Sequence, residues 1–358
     1  PQSRLGGTVK SATIITTLNN RSIDKAYEYI NNNIANLANQ FVPEGKIQFG
    51  ISIYGFRLPK KSIFAKNLEI KKILRTAKRS IRIIENKSEE LETAQVLHNK
   101  LATNKGIELL IVRDGDTTII ARTTGIQDID AYSKRDQGRP KRDAKVGMLP
   151  PKLAQIIINL TNPPPDATVL DPFCGTGVLL QEATLMNLNI LGTDLEPRMI
   201  DYTLANLQWL TDVGKVAHDK LNPNSITQHL DIGDATTHNW QSLPNFGQDL
   251  VIACETYLGR PLSHQPSPST LQPIMEHANH LHHKFLKNIG KQIPSGTKLC
   301  LAVPAWRTKN GLVHLSTLDQ LDNLGYNQMS FAHATTEDMV YYRPDQVVAR
   351  ELVVLQKK

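Results

Sequence analysis

The chain has 358 residues, 40% of them hydrophobic, and a formal net charge of +7, which is typical of a folded globular protein of two domains. No run approaches about eighteen apolar residues, which argues against a membrane span, and the start at Pro1 shows no signal-peptide pattern. The three cysteines lie far apart, which excludes a disulfide scaffold and a CxxC zinc site and indicates a reducing, cytoplasmic compartment.

The charge is divided unevenly along the chain. Residues 1–150 carry 26 basic and 15 acidic residues, a net of +11, whereas residues 151–358 carry a net of −4. A basic half followed by a mildly acidic half suggests that the first half contacts a polyanion such as nucleic acid. An ordinary basic domain is the alternative interpretation.

The first 125 residues predict a small α+β domain of short, alternating elements. Its predicted strands cover residues 8–17, 47–54 and 80–84, and its predicted helices cover residues 23–37, 68–77 and 90–101. A hairpin is predicted from residues 108–113 and 117–124, because Asp114-Gly115-Asp116 forms a favourable turn.

Residues 126–151 lack an apolar period and predict a basic linker or loop. Between Lys134 and Lys145 they hold six basic residues, which we expect to contact RNA phosphates: Lys134, Arg135, Arg139, Lys141, Arg142 and Lys145. A solvated tether is the alternative.

Residues 152–358 alternate strands with helices, which predicts an α/β, Rossmann-like domain with an open and mostly parallel sheet. The predicted strands are residues 168–170, 190–193, 228–232, 250–253 and 298–303, followed by a closing antiparallel pair at 329–333 and 347–355. The predicted helices are residues 153–160, 178–186, 197–209, 271–289 and 315–324. Ligands of such sheets bind at the carboxyl ends of the strands, which is where Asp171, Asp194 and Asp234 fall.

The glycine-rich segment 171–177 predicts a cofactor loop. It lacks the patterns of NTPase and dinucleotide loops, and because it carries an acid and no base, it favours a ligand with an ammonium or sulfonium centre. Asp194 is placed for ribose hydroxyls, Leu195 for a purine face and Asp234 for the adenine amine. These residues predict S-adenosylmethionine, with the alternative of a turn that serves packing alone. The cofactor residues are Asp171, Phe173, Gly175, Thr176, Gly177, Asp194, Leu195 and Asp234.

Several segments resemble a known family. The runs DPFCGTG at 171–177, GTDLEPRMI at 192–200 and NLQWL at 206–210 resemble amino-group methyltransferases that act on nucleic acids. LGGTVK at 5–10, AQVLHNKL at 94–101 and YSKRDQGRPKRDAKVGMLPPKLAQIIINL at 132–160 resemble, more specifically, the THUMP-containing tRNA (guanine-10) N2-methyltransferases of archaea and eukaryotes. The resemblance covers nearly the whole chain.

The resemblance implies a class I methyltransferase domain with seven strands and a reversed final hairpin, and a THUMP domain that binds the acceptor end of tRNA. Family members carry a further small domain before the LGGT segment, so we expect this chain to be truncated at its start. Whether a small activator subunit is needed stays open.

The fourth predicted strand departs from the family. The family's motif there is Asp-Pro-Pro-Tyr or Asn-Pro-Pro-Tyr, whereas this chain has Cys254-Glu255-Thr256-Tyr257. Glu255 can supply the carboxylate that accepts hydrogen bonds from a target amine, and Tyr257 the stacking face, so both are the predicted catalytic residues. The alternatives are a DNA amino-methyltransferase and a catalytically altered homologue that only binds nucleic acid.

Three further candidates are given structural interpretations. The histidines of residues 276–283 predict a surface or groove-facing helix rather than a metal site, with neutral hydrogen-bonding partners near the cleft as a second interpretation. Cys174 is interpreted as a small packing residue. Trp306 is expected either in the core or at the substrate.

Overall fold

The computed structural model describes residues 2–143, 148–214, 226–247, 249–260, 262, 264–344 and 346–358, with the side chains of 212–214 excepted. It divides into two compact units. The first comprises Pro1–Ser3 and Thr8–Ala131, and the second comprises Arg4–Gly7 and Tyr132–Lys358. The domain bounds expected from the sequence, 1–125, 126–151 and 152–358, stay predictions.

The first unit contains a five-stranded sheet with the order β1-β5-β4-β2-β3. Strand β2 runs parallel to β3 and β4, and β5 runs antiparallel to β4 and β1. The strands are β1 (Lys10–Leu18), β2 (Ile47–Tyr54), β3 (Ile81–Ile83), β4 (Gly106–Asp114) and β5 (Thr117–Ile126). The helices are α1 (Ile23–Phe41), α2 (Lys60–Thr76) and α3 (Thr93–His98). The predicted α+β pattern is therefore observed in this unit.

Helix α1 shows how the sequence builds this unit. It begins after Ser22, whose side-chain oxygen accepts a hydrogen bond from the backbone N–H of Lys25 at 3.3 Å. Ala26, Ile30 and Ile34 recur at helical spacing and are fully buried. They belong to the same core as the apolar residues of β2, which is buried along most of its length because it is an interior strand.

The second unit contains a nine-stranded sheet in which seven strands follow the order β12-β14-β10-β9-β6-β7-β8, while β11 pairs with β10 and β13 with β14. The first strands are β6 (Thr168–Asp171), β7 (Asn189–Asp194), β8 (Leu230–Ile232) and β9 (Leu250–Glu255). The later strands are β10 (Lys298–Thr308), β11 (Gly311–Val313), β12 (Tyr326–Gln328), β13 (Val340–Tyr341) and β14 (Val348–Lys357). The helices are α5 (Pro151–Leu160), α6 (Val178–Leu185), α7 (Pro197–Gly214) and α8 (Pro268–Ile289).

The predicted parallel α/β sheet is confirmed. Strands β8, β7, β6, β9 and β10 are parallel neighbours, and β14 runs antiparallel to both β10 and β12. The carboxyl ends of β9, β6, β7 and β8 consequently lie side by side along one edge of the sheet. None of the helices in the described ranges is long and apolar enough to cross a membrane.

Three local predictions are wrong. The predicted linker contains helix α4 (Ile129–Gln137), which the sequence hides because only Tyr132 of its residues is buried. The predicted helix at 315–324 is a short 3-10 turn at Ser316–Gln320, where the Asn279 side chain accepts from the Thr317 N–H at 2.9 Å. Residues 329–333 do not form the antiparallel strand predicted to pair with β14. Among the described residues β14 pairs with β10, β12 and β13, and the Met329 N–H adds one hydrogen bond after β12, to the Val354 carbonyl at 2.8 Å.

Candidate active site

The glycine loop follows β6 and leads into α6. Gly175 and Gly177 have φ angles of +53° and +76°, the left-handed region that side chains with a Cβ rarely adopt. A Cβ on Gly177 would also lie 2.8 Å from the side chain of Thr203 on α7. Both glycines therefore allow the loop to turn sharply, and Gly177 also allows α6 and α7 to approach each other.

Asp194 ends β7 and is fixed by the backbone around it. Its Oδ2 accepts a hydrogen bond from the Gly175 N–H at 2.9 Å, and its Oδ1 accepts from the Glu196 N–H at 3.0 Å. Each oxygen keeps a further lone pair, so the carboxylate can still accept from two ligand hydroxyls. The predicted ribose acceptor is thus also a structural tie between β7 and the glycine loop.

A cavity of about 480 Å³ lies at the carboxyl ends of these strands, a volume within the usual range of small-molecule sites. It brings together nearly all the predicted cofactor and catalytic residues: Asp171, Phe173, Gly175, Thr176, Asp194, Leu195, Asp234, Glu255 and Tyr257. Gly177 does not line it and acts through the loop geometry. Phe173 is supported from behind by Phe285, with ring centroids 5.0 Å apart in an edge-to-face arrangement.

The cavity concentrates carboxyl groups. Asp171 is 3% exposed, and burial, followed by the proximity of Asp194 and Glu255, raises its pKa well above the usual value although the Phe173 N–H opposes the shift. Burial also raises the pKa of Asp194, against hydrogen bonds from the Glu196 and Gly175 N–H groups. A cationic ligand would relieve this repulsion, so the carboxyl groups suit a positively charged ligand.

Asp234 and Leu195 form the more open end of the cavity. Asp234 is exposed, and its Oδ1 accepts from both the N–H and the hydroxyl of Thr236 at 2.8 Å. Leu195 is 63% exposed although it is apolar. A carboxylate beside an uncovered apolar side chain matches a flat, polar-edged group such as a purine ring.

Glu255 ends β9 at the other side of the cavity. Its Oε1 accepts a hydrogen bond from Nε of Arg350, a residue of β14 whose side chain is 5% exposed. Burial raises the pKa of Glu255, and the charge and hydrogen bond of Arg350 oppose that rise. Sequence reasoning missed Arg350, because it lies 95 residues from Glu255 along the chain.

Two histidines of α8 support the residues after Glu255. Nε2 of the buried His282 lies 2.6 Å from the Thr256 hydroxyl, while its Nδ1 lies 2.7 Å from the Ala278 carbonyl. His277 packs edge-to-face on Tyr257, with ring centroids 5.6 Å apart. Burial lowers the pKa of His282 to about 4, so the ring is neutral at neutral pH. In the described ranges, no group of three or more His, Cys, Asp or Glu residues could hold a metal ion.

The six basic residues predicted to contact RNA occupy different environments. Arg135 donates from Nε and Nη2 to the buried Glu182 at 2.6 and 3.3 Å, and Arg139 is 3% exposed. Lys145 lies outside the described residues. The exposed members of this set are Lys134, Lys141 and Arg142.

Two residues with open interpretations are buried. Trp306 is 0% exposed and belongs to the core of the second unit, which favours its packing role. Cys174 is 5% exposed and also lies in a core cluster beside the glycine loop, as a packing residue would.

Segments of this chain are similar in sequence to known proteins. Residues 139–233 match the model of the family described as RMKL-like, methyltransferase domain. The tRNA (guanine(10)-N2)-dimethyltransferase of Methanocaldococcus jannaschii is 33% identical over 124 residues, which are 33% of this chain and 35% of that protein. The protein of the same name from Methanothermobacter thermautotrophicus is 45% identical over 62 residues, 17% of this chain and 18% of that protein. The matched segments thus span no more than about a third of these relatives.

A solved structure confirms the fold over most of the chain. The crystal structure of TrmN from Thermus thermophilus aligns with a TM-score of 0.51 and 15% identity, covering 98% of this chain and 84% of that one. The second unit therefore has the fold of a methyltransferase domain. The family match ends at residue 233, so it covers Asp171 and Asp194 of the cavity and stops before Asp234, Glu255 and Tyr257. The resemblance of the first unit to a THUMP domain stays a prediction.

Proposed function

We propose that this chain is an S-adenosylmethionine-dependent methyltransferase that modifies the N2 amine of a guanosine in tRNA. One observation carries the proposal. Four carboxyl groups, those of Asp171, Asp194, Asp234 and Glu255, stand at or just beyond the carboxyl ends of four adjacent strands and line a single cavity. Acids in this arrangement match a cofactor that is cationic at one end and a nucleoside at the other.

The residues present fit that cofactor. Asp194 would accept hydrogen bonds from the ribose hydroxyls, Asp234 from the adenine amine, and Leu195 would cover a face of the purine. Asp171 and the glycine loop would hold the charged end, where the carboxyl repulsion described above favours a cation. When bound, S-adenosylmethionine supplies an electrophilic methyl carbon, whose bond to sulfur breaks with its electrons left on sulfur.

Glu255 and Tyr257 would bind and orient the base that receives the methyl group. The amine nitrogen of the base forms the new bond to carbon and must lose one proton. The Glu255 carboxylate can accept the hydrogen bond that orients this proton and then take up the proton itself. Tyr257 offers an aromatic ring two residues further on, held by His277. Aligning the amine and excluding water are most of what such a transfer requires of the protein.

The tRNA substrate is supported by the names of the matched relatives and by the charge of the chain. Both relatives are named for guanine 10 of tRNA. The net charge of +11 over residues 1–150 suits a polyanion. Lys134, Lys141 and Arg142 are exposed, and they lie in or just before the sequence segment 139–233 that matches the methyltransferase family. A cytoplasmic location is part of the same proposal, and the need for an activator subunit would be tested alongside it.

The experiment is methyl transfer by the full chain. We would incubate the protein with methyl-labelled S-adenosylmethionine and either unmodified tRNA or duplex DNA, and identify the product by nucleoside mass spectrometry. N2-methylated guanosine in tRNA is the expected product, with loss of transfer in Glu255→Ala and full transfer in Asp201→Asn, a change at an exposed acid on α7. No transfer to tRNA, or equal transfer by Glu255→Ala, would refute the proposal.

A further inference from the structure

The Glu255 carboxylate is anchored on one side only. Its Oε1 accepts from Nε of Arg350, and the side chain of Glu255 keeps 16% exposure where it borders the cavity. Within the described residues, no hydrogen bond reaches Oε2. An ionised carboxylate has about four lone-pair sites, so Oε2 and the remaining lone pair of Oε1 are available to a ligand in the cavity.

A carboxylate with two accepting oxygens discriminates between bases. Guanine presents its ring N1–H beside the N2 amine, which makes two donors next to each other. Adenine and cytosine instead present an unprotonated ring nitrogen beside their amine, so one carboxylate oxygen would face a lone pair. A carboxylate accepts and cannot donate, and an acceptor left against an acceptor costs binding free energy.

We propose that Glu255 selects guanine by accepting hydrogen bonds from both the N2 amine and the ring N1–H, and that Arg350 is the positioning residue that sets its orientation. The inference rests on the proposed function and extends it from the reacting amine to the neighbouring ring position. It assigns the choice of base to Glu255, the acid within the segment 254–257 that stands where the family has its fourth-strand motif.

The backbone around Glu255 is held firmly enough for such discrimination. The N–H of Thr256 donates to the Ala302 carbonyl at 3.0 Å, and its hydroxyl contacts His282 at 2.6 Å. Tyr257 is packed against His277. The carboxylate and the aromatic ring that would stack on the base are therefore fixed relative to each other, because the two residues that follow Glu255 have buried or ring contacts of their own.

The Arg350 contact also predicts what an amide would do at this position. Arginine only donates, so in Glu255→Gln the amide oxygen would turn toward Arg350 and the NH₂ group would face the cavity. The side chain would then offer one acceptor and one donor. That pair is complementary to an amine beside an unprotonated ring nitrogen, so the substitution should favour the bases that the native residue rejects.

The test uses 2-aminopurine, which keeps the C2 amine of guanine but has an unprotonated N1. We would measure kcat/KM of the full chain on two tRNAs that carry guanosine or 2-aminopurine riboside at the target position. The wild type should prefer guanosine by at least about 10-fold, and Glu255→Gln should move that preference toward 2-aminopurine by on the order of 100-fold. Intrinsic differences between the two amines cancel when the two enzymes are compared.

The role of Arg350 is tested in the Glu255→Gln variant. Residue 255 is then an uncharged amide, so replacing Arg350 does not leave a carboxylate without its cation. In Glu255→Gln/Arg350→Met the amide is no longer oriented, so the shifted preference of Glu255→Gln should be lost by about 10-fold or more. Asp201→Asn serves as the matched control, with the preference of the wild type. An unchanged preference in the double variant would overturn the role of Arg350.

The outcomes separate the two proposals. Equal use of guanosine and 2-aminopurine by the wild type, with the same ratio in Glu255→Gln, would overturn the selection by Glu255 while leaving the methyltransferase function intact. Transfer to neither tRNA would refute the proposed function, and the inference with it.

Discussion

Oδ2 of Asp194 accepts a hydrogen bond from the backbone N–H of Gly175 at 2.9 Å, across 19 residues of sequence. The contact joins the end of β7 to the glycine loop that follows β6. The same carboxylate would accept the ribose hydroxyls of the cofactor, so a single side chain both shapes the loop and binds the ligand that the loop surrounds.

Asp194→Ala should weaken the binding of S-adenosylmethionine by about 100-fold, because it removes charged hydrogen bonds that contribute about 1.5 to 3 kcal/mol each. Isothermal titration calorimetry would measure the dissociation constant. Asp201→Asn removes an exposed acid of α7 and should leave it unchanged. Affinity within threefold of the wild type would contradict the role of Asp194.

The affinity for the cofactor should rise with pH. Burial and the neighbouring acids raise the pKa of Asp171 well above its usual value, so below that pKa the group is protonated and attracts no cation. As the pH increases through it, the carboxylate forms and can pair with the charged end of the cofactor. Titrations in buffers of different ionisation enthalpy should detect protons released on binding, and Asp171→Asn should reduce that release. Binding without proton release would contradict the prediction.

Arg135→Met should destabilise the fold by about 3 to 5 kcal/mol, since it leaves the carboxylate of Glu182, whose side chain is 1% exposed, without its paired cation and with the neutral Gln155 amide still donating to Oε2 at 2.8 Å. Chemical denaturation would measure the loss. Arg135→Met/Glu182→Gln removes both charges and should recover much of the stability. If the single variant is as stable as the wild type, the prediction is contradicted, and Arg135 remains available to contact RNA phosphates as the sequence predicted.

His282 should make the protein sensitive to acid. Burial lowers its pKa to about 4, so between pH 6.5 and 4 the unfolded chain binds a proton that the folded chain does not. The free energy of unfolding should therefore fall by about 3 kcal/mol across this window, through this residue alone. In His282→Asn that part of the pH dependence should vanish, whereas His280→Asn, at an exposed position, should retain it. Parallel curves for the wild type and His282→Asn would contradict the prediction.

Binding of tRNA should depend less on salt when Lys134, Lys141 and Arg142 are replaced by alanine. Each phosphate contact that is lost should reduce the slope of log K against log salt by about 0.7 to 0.9. Filter binding at several salt concentrations would measure the slope, while the affinity for S-adenosylmethionine should not change. An unchanged slope would remove these three residues from the RNA interface.

The sequence predicted the strands of the parallel sheet and the acids at their ends, because apolar runs and glycine loops are local signals. Helix α4 was not predicted, because most of its residues are polar or charged. Only Tyr132 of them is buried, so the sequence shows no apolar face at helical spacing. His282 could not be separated from the other histidines of α8, because burial depends on what α8 packs against. Arg350 could not be assigned to Glu255, because the contact requires the register of a strand much later in the chain.

The position of Arg350 has a consequence for synthesis of the protein. Glu255 reaches the ribosomal exit long before Arg350, and in between it would be a partly buried carboxylate without its cation. Burying the Glu255 carboxylate before Arg350 has been made would cost free energy. This edge of the sheet should therefore stay exposed to solvent in the nascent chain. The site would close only once β14 has been made, and fragments that stop before residue 350 should be recognised by cellular quality control as unfinished.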